Sequence, residues 1–498
     1  MTQPSRRQLL ASMYGIGIGV GLAGCGTSQQ QEDETVATQG GTRSERKQPV
    51  PGDPSVIVWK DVDGTIRARA NQDEINAGTK PAAVIQSGLN RAASESGLGS
   101  VEVIGDFRLS KKIELPSRTA LDLTRSQLAI TTNDPVLSIG EATNSTVIGG
   151  TLDGSAQKDG EKYLSVIALN DANNVTISNT EVKSGGYYGV NIYECNDCLF
   201  WRVRSHDNYR HGFHPGSDTA GRGGRNWLVQ CLASNNGVDG ISDRGTTVRG
   251  ERVHNIHANC LCQNNSRHGF LFAGGVATDN ATTTYNIIGC RAFKNKYNGF
   301  NFRDCRASAV NLTAETNGRS GIEFEGANSI SLLNPRIQGH AAPSGIGIKI
   351  ARRDSFTPDN IVVYGGESRN NEYNIALTNI TSTGPITLRD IDARGAEKAT
   401  IALSEDQTDE AVTIRNVAGY PTTNRGRQVK DGDGRTTTFR WSHGLAARPD
   451  TVSVTPRTLP ASDSFAVTTN DTSVLVKYRQ APSKGERNLQ WWWQARTH

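Results

Sequence analysis

The feature that most constrains the fold of this chain is a glycine that recurs every 22 to 30 residues, at 189, 212, 240, 269, 299, 321 and 347. A short strand with alternating apolar and polar residues follows the glycine in nearly every repeat. Four residues before five of these glycines stands an asparagine: Asn208, Asn236, Asn265, Asn295 and Asn317. A repeat of this length with a strand in every unit is typical of a solenoid, in which each coil packs only on its neighbours.

Alternation along each strand separates an interior face from an exterior face, because successive residues of a strand point to opposite sides. The first and third residues after the glycine are apolar in most repeats, as in Phe270 and Phe272. Stacked asparagines can hydrogen-bond their amides along such a ladder. We therefore predict an all-β fold, a right-handed parallel β-helix over 55–420. The position nine residues before the glycine holds small or apolar residues: Val203, Cys231, Cys260, Cys290 and Leu312.

The regions on either side of the repeats have patterns of their own. Residues 81–89 place apolar side chains at helical spacing, which predicts a short N-terminal capping helix. After a polar, glycine-rich joint, short alternating strands predict a small antiparallel β module over 421–498. Trp441 and Trp491 to Trp493 could form a sugar-stacking platform, but alternation favours a core position for half of them. Modules of this kind also assemble chains, so a homotrimer is one expectation.

The first 54 residues are expected to lie outside the fold. Residues 5–10 (SRRQLL) resemble a twin-arginine export signal, and residues 22–25 (LAGC) resemble a lipobox, in which Cys25 receives the lipid. The alternative is an ordinary secretory signal that ends in cysteine. Residues 26–54 contain no aromatic residue, which predicts a disordered tether. The protein is thus expected to be exported and anchored by lipid at the outer face of the cell membrane.

Composition narrows the classes of partner and cofactor. The net charge is only +4, and no basic stripe with interleaved aromatic residues is present, so nucleic acid is not an expected partner. Apart from Cys25 the chain has seven cysteines, and those in the interior stack are expected to remain free thiols. Cys195 and Cys198 lack a second pair at metal-ligand spacing, so no metal is predicted. No other cofactor is predicted either.

Polar side chains cluster on three successive repeats. His211, Asp239 and His268 each precede the glycine, so alternation directs all three outward in one column. Neighbouring coils lie ~4.8 Å apart, which makes this column short enough to face a single stretch of a bound polymer. The expected site also includes further catalytic and substrate-binding residues around the column: Tyr209, His214, Arg244, Arg267, Asp243 and Arg303.

Two resemblances to known families rest on these residues. The helix at 81–89, followed by VEVIGDF at 101–107 and IELPS at 113–117, resembles the opening of pectate-lyase-superfamily β-helices. The three coils GFHPG, VDGISD and RHGF resemble the active-site coils of mannuronan C5-epimerases and related alginate lyases. By that resemblance Arg267, His268 and Asp239 match family positions. His211 stands where the family has a tyrosine, and His214 stands where it has an aspartate.

The resemblance implies a polysaccharide lyase or a uronate C5-epimerase, and the chemistry of the residues agrees with it. Removal of the C5 proton of a uronic acid needs a base and a cation that neutralises the carboxylate. Histidine titrates near neutrality, so His211 and His268 are the expected base and acid. Arg267 or Arg244 is expected to hold the carboxylate. The expected partner is an acidic polysaccharide.

The sequence is also compatible with two other functions. Glu323 and Glu325 alternate on one strand with Asp304 nearby, and paired carboxylates suit glycoside hydrolysis. The remaining possibility is a non-catalytic rod that binds glycans as an adhesin does.

Overall fold

The computed structural model describes residues 54–216, 223–244, 254–274, 284–340, 345–353, 357–380, 384–403 and 412–497. Cys25 and the sequence interpreted as an export signal and lipobox lie outside the described residues. Strands make up 55% of the described residues and helices 4%, which confirms the prediction of an all-β fold. Within the described residues, no helix is long and apolar enough to span a membrane.

The repeats form a parallel β-helix, as predicted. One long face, called the site sheet below, is a 12-stranded parallel sheet within the described residues. Its strands are Ile113–Glu114, Leu137–Gly140, Ser165–Asn170, Tyr188–Tyr193, His211–Gly216, Ile241–Arg244, Phe270–Ala273, Phe300–Arg303, Ser320–Glu325, Ile346–Ala351, Tyr373–Thr378 and Ala399–Leu403.

The remaining strands of the β-helix belong to one 25-stranded sheet that supplies the other sides of each coil. One set of stacked strands comprises Thr146–Ile148, Thr176–Ser178, Leu199–Trp201, Trp227–Val229, His254–Ala258, Thr284–Ile288, Arg306–Val310, Asn328–Leu333, Asp359–Tyr364, Ile386–Arg389 and Val412–Arg415. A second set comprises Thr151–Asp153, Glu181–Lys183, Arg204–His206, Leu232–Ser234, Leu261–Gln263, Arg291–Phe293, Thr313–Glu315, Arg336–Gln338 and Glu367–Arg369. The N-terminal strands are Val56–Lys60, Ile66–Ala70, Asp73–Gly78, Gly99–Leu109 and Thr119–Ile130.

The N-terminal end of the coil stack carries the predicted helix, Pro81–Ala93. Proline at its start suits the helix because the first N–H groups of a helix have no partner within it. The buried face of the helix includes Val84, Ile85 and Leu89. This face covers apolar side chains of the first coils, which would otherwise be open to water.

The interior of the β-helix follows the alternation seen in the sequence. Phe270 pairs in register with Phe300, and their rings stack with centroids 4.7 Å apart. Phe272 and Phe302 stack in the same way at 5.2 Å. All seven described cysteines are free and buried, which confirms the expected interior thiols. Burial raises the pKa of the Cys262 thiol well above its usual range, so this thiol stays protonated and unreactive.

The asparagines form the predicted ladder between coils. Asn208 donates its side-chain N–H to the side-chain oxygen of Asn236 at 2.8 Å, and the series continues to Asn317 with distances of 2.9 Å. His340 takes the next position, where its Nδ1 accepts the backbone N–H of Asn317 at 3.1 Å. These side chains are buried, and they satisfy backbone groups that would otherwise be unpaired at this corner.

The C-terminal region is the predicted antiparallel module, with two three-stranded sheets and a hydrophobic core of its own. Trp491 is fully buried and Trp441 and Trp493 nearly so, whereas Trp492 is 46% exposed. The structure therefore confirms core positions for most of these rings. The strands are Thr423–Gly432, Thr438–Ser442, Thr451–Pro456, Phe465–Thr469, Ser473–Tyr478 and Gly485–Arg496, and a 3-10 helix spans Leu459–Ala461.

Candidate active site

The register of the site sheet stacks the expected site residues on successive coils. Phe213 pairs with Ile241, and Ile241 pairs with Phe270. His211, Asp239 and His268 each lie two residues before one of these partners. The structure therefore places these three residues in one column, as the glycine spacing predicts.

Asp239 is the charged centre of the column and is completely buried. Arg267 binds both of its carboxylate oxygens, with Nε donating to Oδ1 at 2.7 Å and Nη2 donating to Oδ2. The backbone N–H of His268 also donates to Oδ1, at 3.1 Å. This bidentate pair fixes Asp239 and Arg267 as one unit that holds adjacent coils together.

His211 is neutral, and its Nδ1 already takes part in a hydrogen bond. It is 1% exposed, and its burial, together with the nearby His214 and arginines, lowers its pKa well below the usual range. Its Nδ1 lies 3.3 Å both from the backbone N of Asp239 and from the Asp239 carboxylate. Because a neutral imidazole whose Nδ1 accepts the N–H cannot also donate to the carboxylate, we assign the proton of His211 to Nε2.

His214 has the opposite tautomer. Its Nδ1 lies 3.1 Å from the backbone carbonyl of Ser242, and a carbonyl oxygen only accepts hydrogen bonds, so Nδ1 carries a proton. Burial and the positive charge of Arg244 lower the pKa of His214 to about 3. At neutral pH its Nε2 therefore holds a free lone pair. In contrast, the Nδ1 lone pair of His211 accepts the backbone N–H of Asp239.

His268 is the third neutral imidazole. It is 4% exposed, and burial, with the charges of Arg267, Arg303 and Arg319, lowers its pKa to about 2. Its Nδ1 is buried without a hydrogen-bond partner among the described residues. Burying an unpaired polar atom costs free energy. A catalytic role is one explanation for such an atom.

Tyr188 also belongs to the candidate site, although it is not among the residues predicted from the sequence. It pairs in register with His211, and its ring stacks on His214 with centroids 4.3 Å apart and on His211 at 5.4 Å. Burial raises the pKa of Tyr188 to about 12, so its phenol is protonated at neutral pH and can donate a proton. The signal was present in the sequence, since Tyr188 precedes Gly189 just as His211 precedes Gly212.

Two of the expected substrate contacts already have partners within the protein. Asp243 is fully buried inside the β-helix, where it accepts hydrogen bonds from His257 at 2.8 Å and from Asn255. The expected substrate contact of Asp243 is therefore wrong, because its carboxylate faces the interior. Arg303 is on the outer face but forms an ion pair with Glu325 at 2.5 Å, so its charge is already balanced.

The remaining expected residues lie at the surface around the column. Arg244 is exposed and pairs in register with Gly216, beside His214. Tyr209 is 49% exposed and lines a cleft. That cleft has a volume of about 870 Å³ and is also lined by Lys162, Tyr187 and Arg210. Since Tyr187 contacts Tyr188 edge-on at 4.6 Å, the cleft borders the histidine cluster.

The alternative carboxylate site is held in ion pairs. Lys349 donates to Glu323 at 2.5 Å, Glu325 is paired with Arg303, and Arg353 donates to Asp304 at 2.6 Å. Each carboxylate thus has its own cation, an arrangement that favours a structural role. Within the described part of the chain, no group of three or more histidine, cysteine or acidic side chains is placed to hold a metal ion.

Comparison with solved structures places this fold among known β-helices. The A-module of the Azotobacter vinelandii mannuronan C-5 epimerase AlgE6 aligns with a TM-score of 0.58 at 18% identity, covering 69% of this chain and 96% of its own. The A-module of the epimerase AlgE4 from the same organism gives 0.53 at 16% identity, covering 67% and 96%. This chain shares their parallel β-helix fold.

A third solved structure, PfbA, a surface adhesin of Streptococcus pneumoniae, aligns with a TM-score of 0.48 at 15% identity, covering 70% of this chain and 89% of its own. No protein-family model matches the chain, and a search of curated proteins found no match. At these identities the likeness concerns the fold alone, because one fold can carry unrelated functions. Only the residues of the site can therefore indicate the function.

Proposed function

We propose that this protein acts on a uronic-acid-containing polysaccharide by removing the proton at C5, as a C5-epimerase or a lyase. The observation that carries the proposal is the cluster of one phenol and three neutral imidazoles beside a buried Asp239–Arg267 pair. Two structures with the same fold are A-modules of mannuronan C-5 epimerases, which supports this choice of substrate class.

In this proposal His214 is the base. Its Nε2 holds the lone pair, and Arg244, whose charge depresses the pKa of His214, lies close enough to bind the carboxylate of the sugar. Binding an anion there would offset the charge of Arg244 and raise the pKa of His214, which makes it a stronger base when substrate is present. The arginine also stabilises the negative charge that develops on the carboxylate as the C5 proton leaves.

The proton donor in this proposal is Tyr188 or His268. Tyr188 stacks directly on His214 and is protonated at neutral pH, so it can protonate the oxygen that leaves C4 in a lyase reaction. His268 lies two coils further along the column and is neutral at rest, so it first has to take up a proton from water. Return of that proton to C5 from its side would give epimerisation. The cleft beside Tyr187, with Lys162 and Arg210 in its lining, offers cations for neighbouring acidic sugars of the polymer.

Solvent isotope exchange tests the proposal. Uronic-acid polymers incubated with the protein in heavy water are expected to acquire deuterium at C5, with unsaturated chain ends as well if the enzyme is a lyase. His268→Ala and His214→Ala are each expected to lower the rate by about 10²- to 10⁴-fold, the usual contribution of a general acid or base. Glu323→Gln is the control and is expected to change the rate little.

Other results would point to the alternatives. Reducing ends without unsaturation, formed by His268→Ala but not by Glu323→Gln, would make the protein a hydrolase that uses the carboxylates. Polymer binding without product or deuterium uptake would favour a glycan-binding rod. Either result would contradict the proposed proton abstraction.

We also propose that the protein is exported and attached to the membrane by lipid on Cys25, as the LAGC run at residues 22–25 indicates. Cys25→Ser is expected to shift the protein from the membrane fraction to the soluble fraction after export, because the acyl chains have no other attachment point in the lipobox. Fractionation followed by immunoblotting measures this shift. Cys195→Ser is the control and should leave the distribution unchanged, whereas a membrane-bound Cys25→Ser protein would refute the anchor.

A further inference from the structure

One sheet of the C-terminal module presents an unusual outer face. Its central strand, Gly485–Arg496, lies between Thr423–Gly432 and Thr451–Pro456. Alternation along the central strand buries Trp491 and Trp493 in the core of the module and leaves Trp492 pointing outward, 46% exposed. An indole on the outer face of a sheet is not stabilised by burial in the core beneath the sheet.

Arginines surround this exposed ring. Trp492 pairs across the sheet with Arg427 on one side and Thr455 on the other, and the guanidinium carbon of Arg457 lies 5.4 Å from the ring centroid. Arg425 follows the same side of its strand two residues before Arg427. All three arginines are exposed. None of them forms an ion pair with another described residue, although Arg427 donates to the side-chain oxygen of Gln490 at 2.5 Å.

The charge of this face is not balanced nearby. The three strands contain two acidic residues, Asp431 and Glu486, and both lie at the end of the sheet away from the arginines. Glu486 is six residues from Trp492, about 20 Å along an extended strand. Asp450 stands just before the strand Thr451–Pro456, outside the group of arginines. Three cations around one exposed aromatic ring therefore form a local positive patch.

We propose that this patch, defined by Arg425, Arg427, Arg457 and Trp492 and called the Trp492 face, binds an acidic polysaccharide. The apolar face of a pyranose ring can pack on the indole, and the guanidinium groups can pair bidentately with sugar carboxylates or sulfates. Tryptophan and arginine are also the residues that most often dominate binding energy at protein surfaces.

A nucleic acid is the other polyanion that this chemistry could attract. Single-stranded nucleic acids are bound by grooves in which successive aromatic side chains stack successive bases. The Trp492 face offers one exposed ring on a short sheet, which suits one or two sugars better than a strand of bases. The binding of an acidic glycan here does not depend on the reaction proposed for the β-helix.

A second glycan-binding face on the same chain would change how the protein engages a polymer. Once one site is bound, the other meets the same polymer at a high effective concentration, and the overall affinity can exceed that of either site by a large factor. If the β-helix carries the activity proposed above, the Trp492 face keeps the enzyme on its polymer between catalytic events.

Affinity electrophoresis of the full chain in gels that contain polygalacturonate, heparin or neutral dextran tests the proposal. The wild-type protein is expected to be retarded by the acidic polymers and not by dextran. Trp492→Ala, and separately Arg427→Gln with Arg457→Gln, should each weaken the retardation about tenfold, a loss of about 1.4 kcal/mol. Leu459→Ala changes another exposed side chain of the same module and should bind as the wild type does.

The outcomes separate the Trp492 face from the candidate active site. His268→Ala should keep the Trp492-dependent retardation, and Trp492→Ala should keep C5 exchange on short uronic oligosaccharides. No retardation of the wild type by either acidic polymer, or equal retardation of Trp492→Ala and wild type, would overturn the proposal. Stronger Trp492-dependent retardation by single-stranded DNA than by polygalacturonate would also overturn it, in favour of nucleic acid. Circular dichroism of each variant checks that it is folded.

Discussion

Asp239→Ala is expected to lower the free energy of unfolding by about 3–5 kcal/mol, the usual result of removing one partner of a buried ion pair. Asp239 is fully buried, and Arg267 and the backbone N–H of His268 donate to its carboxylate. Without it, Arg267 keeps its charge in a largely buried position, where its side chain is 26% exposed. Chemical denaturation of the variant and the wild type at pH 7 measures the difference.

The pair formed by Asp197 and Arg225 is a matched control, because it has similar bidentate geometry at the surface. Arg225 donates to both carboxylate oxygens at 2.9 and 2.8 Å, but the two side chains are 60% and 40% exposed. Asp197→Ala is therefore expected to cost about 1 kcal/mol or less. Equal losses for the two variants would show that burial does not strengthen the Asp239–Arg267 pair.

The free energy of unfolding is also expected to fall as the pH drops from 7 to 5, by about 2 kcal/mol for His268 alone. In the folded protein the pKa of His268 is about 2, so this residue stays neutral at both pH values, and burial also lowers the pKa of His211 well below its usual range. In the unfolded chain they take up protons below about 6.5. Because the unfolded state then binds more protons, stability decreases with falling pH.

Denaturation curves of the wild type and His268→Asn at pH 7 and pH 5 test this expectation. The loss of stability between the two pH values should be about 2 kcal/mol smaller in the variant, whatever its stability at pH 7. Carboxylates contribute little to this comparison. The pKa of Glu181 is lowered from its usual value of 4.5, so the stability that its ionised form contributes is lost mainly below pH 4.5. An identical loss in the two proteins would mean that His268 is protonated in the folded state.

The coil register of the β-helix could be predicted from the sequence because it depends on local rules. Alternation along a strand sets which side chains point inward, and a solenoid repeats that choice on every coil. The observed pairing of Phe302 with Phe324 follows from counting residues after each glycine. Alternation also places Asp243 on the same side as Ile241, so its interior position agrees with the rule even though we expected it to contact substrate.

The chemical state of the candidate site could not be predicted in the same way. His211 and His268 were expected to face outward, but their burial depends on side chains of neighbouring coils that cover them. The tautomers of His211 and His214 depend on one backbone N–H and one carbonyl of the next coil. These contacts join residues 28 positions apart, and their geometry is set by packing across coils that residue spacing alone does not describe.

The asparagine ladder has a consequence for how such a protein can change over time. Successive ladder asparagines are separated by 28, 29, 30 and 22 residues, yet the hydrogen bonds that join them measure 2.8 to 2.9 Å in every case. A difference of up to eight residues between coils is therefore absorbed without disturbing the ladder, since lengthening a surface loop costs little free energy. Insertions between coils can therefore accumulate while the ladder stays the same, so the surface beside the candidate site and the stability of the coil stack can evolve separately.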